Sequence, residues 1–313
     1  MLRWLLLFTS LLLAGLARAE PAAHDLDWFD ASRPRPVPVR LYWPQAGKPV
    51  ALVVFSHGIG GSRRGYSYLG EHFASRGMAS LHLQHVGSDR SLWGGNPLSL
   101  LGRLQAAAQE QEALDRVKDL SFALDQLLAH EEFGPRIDRA RIAAAGHSYG
   151  ANTVMLAVGA GVQREGRRLS LRDPRIKAAV LLSAPPFYGE LDTKAILQSV
   201  TLPTLHVTAT EDIIRIPGYY SPASDRVAVY DAVGSPFKAL AVFEGGSHSI
   251  FTNRGGSGGA DLNPKVKSAT KELALAFLQR VFEGQGEAFA RWPETYRPLL
   301  ARWTSPGTAA AVR

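Results

Sequence analysis

The period of apolar positions changes several times along this 313-residue chain. Val37–Trp43 alternates apolar with polar residues, as in a strand with one face covered, whereas Val50–Phe55 is apolar throughout, as in a sheet covered on both faces. A glycine-rich loop, His57-Gly58-Ile59-Gly60-Gly61, follows at once. Tyr66–Arg76 reads as a helix stopped by Gly77, Ala79–Leu83 as the next strand, and Gln84–Leu98, with its glycines, asparagine and proline, as a long loop. Leu114, Val117, Leu120, Ser121, Leu124, Leu127 and Leu128 mark one face of a long amphipathic helix. Arg141–Ala145 reads as a short strand and Ala151–Val158 as the helix after it. Further strands are expected at Ala178–Leu182, Thr204–Thr208 and Ala239–Phe243, and helices near Leu191–Val200, Ala223–Val233 and Val266–Val281. Strands alternating with helices predict an α/β chain with a mostly parallel central sheet flanked by helices. The interval from Leu182 to Thr204 is too short for a large lid domain.

The first residues differ in kind. Met1 and Arg3 open a basic start, Leu5–Leu13 is an apolar run, and Ala17-Arg18-Ala19 fits cleavage between small residues. Residues 1–19 are therefore expected to be a removable signal peptide, residues 20–304 a single domain, and residues 305–313 a flexible tail. The apolar run is well short of the roughly 20 residues that a membrane span needs, so no transmembrane anchor is expected after processing. The protein should be exported, and so periplasmic or secreted. Composition, 46% hydrophobic and 20% charged, is that of a globular protein. The net charge of +7 is spread along the chain, and no basic run with interleaved aromatics marks a nucleic-acid groove. Cysteine is absent, which excludes disulfides, thiolate metal sites and a cysteine nucleophile together.

Gly146-His147-Ser148-Tyr149-Gly150 is Gly-x-Ser-x-Gly between an expected strand and an expected helix, the nucleophile-elbow pattern of the α/β-hydrolase fold. The turn strains the serine backbone, and side chains at the flanking glycines would collide with the chain on either side. A serine hydroxyl is a poor nucleophile without a base, and the base needs a carboxylate to fix its tautomer and stabilise the imidazolium. In this fold the order is serine, then acid, then histidine. Asp212 follows the strand Thr204–Thr208 and is the favoured acid, with Glu211 as its neighbouring competitor. His248, the last histidine in the chain, lies in the small-residue loop Glu244-Gly245-Gly246-Ser247-His248-Ser249 and is the expected base. His147, inside the elbow, is expected to orient the turn.

A tetrahedral intermediate needs preorganised donors for its oxyanion. The amide of Tyr149 is one candidate and that of Ile59, between Gly58 and Gly60, the other. His85, Trp93, Phe187 and Phe251 are candidate substrate-pocket residues, with Tyr219 and Tyr220 as further apolar walls. No close set of metal ligands such as His-Glu-x-x-His appears, and the glycine-rich loop lacks a phosphate-binding signature, so neither a metal nor a cofactor is expected.

Phe55-Ser56-His57-Gly58-Ile59-Gly60, Ser88-Asp89-Arg90-Ser91 and the elbow Gly146–Gly150 together resemble the platelet-activating-factor acetylhydrolase and dienelactone-hydrolase-like branch of the α/β-hydrolase superfamily. The opening Asp30–Pro44 is similar to that branch's lead-in strand, and the likeness spans most of residues 25–285. The resemblance implies that Ser148, Asp212 and His248 take the triad positions and that Ile59 and Tyr149 donate the oxyanion amides. It also implies a carboxylic-ester hydrolase acting on short-acyl small-molecule or lipid esters. Dienelactone hydrolases use a cysteine nucleophile, which this chain lacks. Secreted polyester hydrolases are similar in the elbow and in lacking a lid. A polyester or lipid esterase, a lactonase and an inactive envelope-binding protein are therefore the alternatives.

Overall fold

The computed structural model describes residues 22–306 apart from 165, 170, 191, 217–218 and 254–258. The expected signal peptide, residues 307–313 of the expected tail and most of the glycine-rich stretch near residue 254 lie outside the described residues. The chain begins with a hairpin of β1 (Ala22–Asp30) and β2 (Arg35–Trp43), followed by β3 (Val50–Ser56), α1 (Ser67–Ser75) and β4 (Ala79–Leu83). Next come α2 (Leu100–Ala107), α3 (Glu110–Ala129), β5 (Ile137–His147) and α4 (Tyr149–Ala157). A short ribbon of β6 (Gln163–Arg164) and β7 (Arg167–Arg168) precedes β8 (Ala178–Leu182), α5 (Thr193–Leu197) and β9 (Thr204–Glu211). A second short hairpin, β10 (Ile214–Ile216) with β11 (Tyr219–Ser221), leads to α6 (Ser224–Ala232) and β12 (Lys238–Ser247). The chain closes with α7 (Gly259–Glu283), α8 (Glu287–Thr295) and β13 (Leu300–Thr304).

Nine strands form one sheet in the order β1-β2-β4-β3-β5-β8-β9-β12-β13. The interior from β4 to β12 is parallel, whereas the edge pairings β1–β2, β2–β4 and β12–β13 are antiparallel. Helices cover both faces, which is why every residue of β3, β4 and β8 is buried and why β8 and most of β3 read as apolar runs, while β4 buries Ser80 and His82 between its apolar residues. Alternate residues feed opposite cores. Leu52 and Val54 pack with Leu120, Leu124 and Leu127 of α3 and with α4 on one face. Val53 and Phe55 pack with Phe73 of α1 and with Leu273 and Phe277 of α7 on the other. Burial of about 25 cal/mol per Å2 on two faces holds the sheet without any disulfide. Among the described residues, the segment between β8 and β9 holds one short helix.

Two edge strands escape the reading of the sequence. In β1 only alternate positions, His24, Leu26 and Trp28, are half-buried, and aspartates separate them. β13 is one short segment lying along β12 at the far edge.

Candidate active site

The elbow is built by steric exclusion. Ser148 follows the last residue of β5 and sits at the amino-terminal cap of α4 with φ 54° and ψ −121°. That conformation is costly for a residue with a side chain and persists only where the surroundings impose it. Here the Ser148 amide donates to Leu182 O of β8 at 2.9 Å, while α4 begins at the next residue. A Cβ on Gly146 would lie 2.3 Å from Gly150 O, and one on Gly150 would lie 1.9 Å from Ser56 O. Both flanking glycines are thus required by contact with backbone that cannot move aside.

Three loops at the carboxyl ends of β5, β9 and β12 bring their side chains together. Ser148 Oγ–H donates to His248 Nε2 at 2.7 Å, and His248 Nδ1–H donates to Asp212 Oδ1 at 2.6 Å. These partners fix one tautomer of His248, with its proton on Nδ1. His248 lies just beyond Gly245 and Gly246, whose φ angles of 69° and 87° turn the chain back over the sheet. Asp212 is fully buried and hydrogen-bonded to His248, while its neighbouring competitor Glu211 is exposed. Burial alone would raise the Asp212 pKa. The hydrogen bond and charge of His248 and the nearby Arg226 guanidinium outweigh it and hold the carboxyl well below the usual range.

Two supports were not foreseen from the sequence in this form. Arg226, buried on α6, donates from Nε to Asp212 Oδ1 at 3.3 Å, and Thr208 Oγ donates to Asp212 Oδ2 at 2.7 Å. His147 accepts from Tyr66 OH at Nδ1 (2.8 Å) and donates from Nε2 to His248 O (2.9 Å). It therefore clamps the backbone of the His248 loop, and burial pushes its pKa down to about 3, so the ring is neutral. Orientation of the elbow region is the task expected of it.

The loop after β3 lies against the serine: a Cβ on Gly58 would sit 3.3 Å from Ser148 Cβ. Gly60 N donates to Ser88 O and Gly61 N to Gly58 O, which shapes the loop around Ile59. Among the described residues, neither the Ile59 nor the Tyr149 amide donates to a backbone carbonyl of the surrounding loops. Both residues are half-buried. Trp93 Nε1 donates to Gly60 O at 2.9 Å, which places this half-exposed indole on the rim of the same loop.

The other expected pocket residues divide. Phe187 is half-buried beyond β8 and packs partly against the core. Tyr219 is half-buried and Tyr220 exposed on the β10–β11 hairpin. His85 and Phe251 are corrections: both are fully buried and line no open pocket. His85 is held between Ser56 Oγ (2.9 Å) and Asp119 Oδ2 (3.1 Å), and Phe251 packs into the core with Phe243. Among the described residues no group of three or more histidine or acidic side chains is placed to hold a metal ion.

A largely parallel sheet flanked by helices, with a strained serine between β5 and α4, defines the α/β-hydrolase fold. Within it, residues 39–93 match the family described as platelet-activating factor acetylhydrolase, isoform II. That stretch contains the loop around Ile59 and ends at Trp93; the elbow lies beyond it. The chain is 26% identical over 288 residues to the platelet-activating factor acetylhydrolase of Canis lupus familiaris, covering 79% of this chain and 60% of the relative. It is 23% identical over 290 residues to that of Cavia porcellus, with 82% and 63% covered. To cutinase est2 of Thermobifida alba it is 26% identical over 211 residues, with 66% and 56% covered. The chain thus spans about three-fifths of the length of the acetylhydrolases it resembles.

Proposed function

We propose that this protein is an exported carboxylic-ester hydrolase that works through an acyl-enzyme on Ser148. The observation that carries the reading is the unbroken line of short hydrogen bonds from Ser148 Oγ through His248 to Asp212. As Ser148 Oγ attacks the ester carbonyl, His248 takes its proton at Nε2, and Asp212 stabilises the imidazolium through Nδ1–H. The carbonyl oxygen, now negative, is received by the amides of Ile59 and Tyr149, each worth roughly 3 to 4 kcal/mol in the transition state. His248 then gives the proton to the leaving alcohol. Water, deprotonated by the same ring, releases the acid and restores the serine. No further group is needed for any of these proton transfers.

Short-acyl esters are the preferred substrates in this reading, supported by the acetylhydrolase likeness and by the short β8–β9 connection, which holds one short helix among the described residues. The cutinase likeness favours a second reading, a polyester or lipid esterase. Export rests on the leader-like residues 1–19, which would leave a mature chain beginning at Glu20. No helix among the described residues is long and apolar enough to cross a membrane.

The test is hydrolysis of acetyl, butyryl and long-chain aryl esters, a short-acyl phospholipid and a polyester film by the mature chain and by Ser148→Ala, with fluorophosphonate labelling of each. Acetyl and butyryl esters should be cleaved fastest, with label on Ser148 alone. A folded chain that neither labels nor cleaves any ester would instead be an inactive binding protein, and faster cleavage of long chains or polymer would favour the second reading.

A further inference from the structure

Behind the candidate active site lies a buried cation that the proton-transfer scheme does not use. Arg116 projects from α3 and is fully buried. Every arm of its guanidinium is engaged: Nε donates to Thr153 Oγ on α4 at 2.9 Å, and one terminal nitrogen donates to Ser88 Oγ at 2.7 Å. The other donates to Ser56 Oγ at 3.1 Å and also to His57 O. Its plane lies over the Tyr149 ring, with Cζ 4.4 Å from the centroid. These partners belong to the two segments that carry the amides assigned to the oxyanion. Ser56 and His57 lead into the loop of Ile59, and Tyr149 and Thr153 form the first turn of α4, where Thr153 Oγ also donates to Tyr149 O at 3.1 Å.

The acids nearby do not contact this guanidinium. Glu112 takes Ser88 Oγ–H and Arg35, and Asp119 takes Arg33, Arg35 and His85. Removing a cation from water is expensive, and the hydrophobic effect gives no reason to place one here. A core that needed only cohesion would be served as well or better by an apolar side chain of similar volume. What the planar fork supplies is geometry. Three nitrogens in one rigid plane fix the end of β3, the loop after β4 and the start of α4 relative to one another, which the single ammonium of lysine cannot reproduce.

On the reading that Ser148 is the nucleophile of an esterase, we infer that Arg116 is the positioning residue of the oxyanion site: it sets the separation of the Ile59 and Tyr149 amides. Donors in such a site act only when they match the oxygen as it becomes tetrahedral, and a misplacement of about 1 Å costs about 100-fold in rate. The consequence falls on the transition state and spares the bound ester.

Arg116→Met, Arg116→Lys and Thr153→Val, the last removing the acceptor of Nε together with the Thr153 Oγ–H bond to Tyr149 O, test this in the mature full chain. The readouts are kcat, KM, the fluorophosphonate labelling rate and the circular-dichroism melt, taken well below each melting midpoint. Arg116→Met should lower kcat about 100-fold, and Arg116→Lys and Thr153→Val about 10-fold, with KM within about threefold. The labelling rate should fall in step with kcat, because phosphonylation passes through the same charged geometry. A merely structural role would move the melt and leave kcat of the folded fraction unchanged. If Arg116→Met does not fold, the lysine and valine variants decide. Both keeping kcat within about twofold of wild type while folded would overturn the inference, even though wild type hydrolyses and labels normally. A wild-type protein that neither hydrolyses nor labels refutes the esterase reading itself, and the inference with it.

Discussion

Acidification should unfold this protein in a narrow range, and the buried histidines set the size of the effect. His82, His147 and His206 are enclosed in the core, where burial pushes each pKa down to about 3. In the unfolded chain each ring returns to its ordinary value near 6.5. The unfolded state therefore binds protons that the folded state refuses. These groups cost nothing above about pH 7, and stability falls as the pH drops from about 6.5 towards 3. Between pH 7.5 and pH 5 each ring forfeits about 2 kcal/mol at 1.36 kcal/mol per unit of pKa difference, or about 6 kcal/mol for the three. That is comparable to the whole stability of an ordinary domain, about 5 to 15 kcal/mol. His57, His72 and His85 are shifted in the same direction. Glu112 and Asp119, whose burial raises their pKa values, act the opposite way and offset part of the loss. Urea unfolding followed by circular dichroism at pH 7.5, 6 and 5 measures the effect directly, and the slope of stability against pH near 5 should reach about 4 kcal/mol per unit. His206→Phe should flatten that slope by about one proton, since it removes one of the three rings while keeping the edge-on contact with Tyr230, at the loss of the His206 Nε2 bond to Thr204 Oγ. Stability at pH 5 within about 2 kcal/mol of that at pH 7.5 would refute the reasoning, because it would mean that the rings are protonated in place.

Three further outcomes follow from the site. Asp212→Asn should lower kcat by about 10,000-fold, because the wrong tautomer of His248 is then favoured, whereas Glu211→Gln should stay within about twofold in the same steady-state assay. Asp212→Asn should also lower the unfolding free energy by about 3 kcal/mol in urea titrations, since it leaves the buried Arg226 without its charge partner. Gly150→Ala should cost more than about 3 kcal/mol or prevent soluble expression, because the added methyl meets the Ser56 carbonyl; a melt unchanged from wild type would contradict that contact.

The parts of this architecture that were legible in the sequence are those where one physical constraint dominates. β3 and β8 are covered on both faces, so only apolar residues fit, and their runs stand out. The elbow was legible because backbone contact excludes a side chain at Gly146 and Gly150. β1 was missed because it is a hairpin arm half covered on one face, where Asp25 and Asp27 interrupt the apolar positions and pair instead with Arg40 and Arg63. His85 and Phe251 follow strand and loop ends in the manner of pocket residues, but sequence position does not say whether a side chain points up towards substrate or down into the core. The charged stripe of α3 is hidden for a different reason. Leu120, Leu124 and Leu127 draw the eye to one face, while Glu112, Arg116 and Asp119, spaced as successive turns of the same helix, are buried beside them. Charges at i, i+4 and i+7 flanking an apolar stripe were the available signal.

The far edge of the sheet has a consequence for the footing of His248. β13, the last strand in chain order, pairs with β12, and β12 runs directly into the turn that delivers the imidazole. Without β13, that turn would be joined to an uncapped sheet edge. The strand leading to His248 is thus held on both sides, by β9 and by β13, so that disturbing the outer strand loosens the footing of the imidazole.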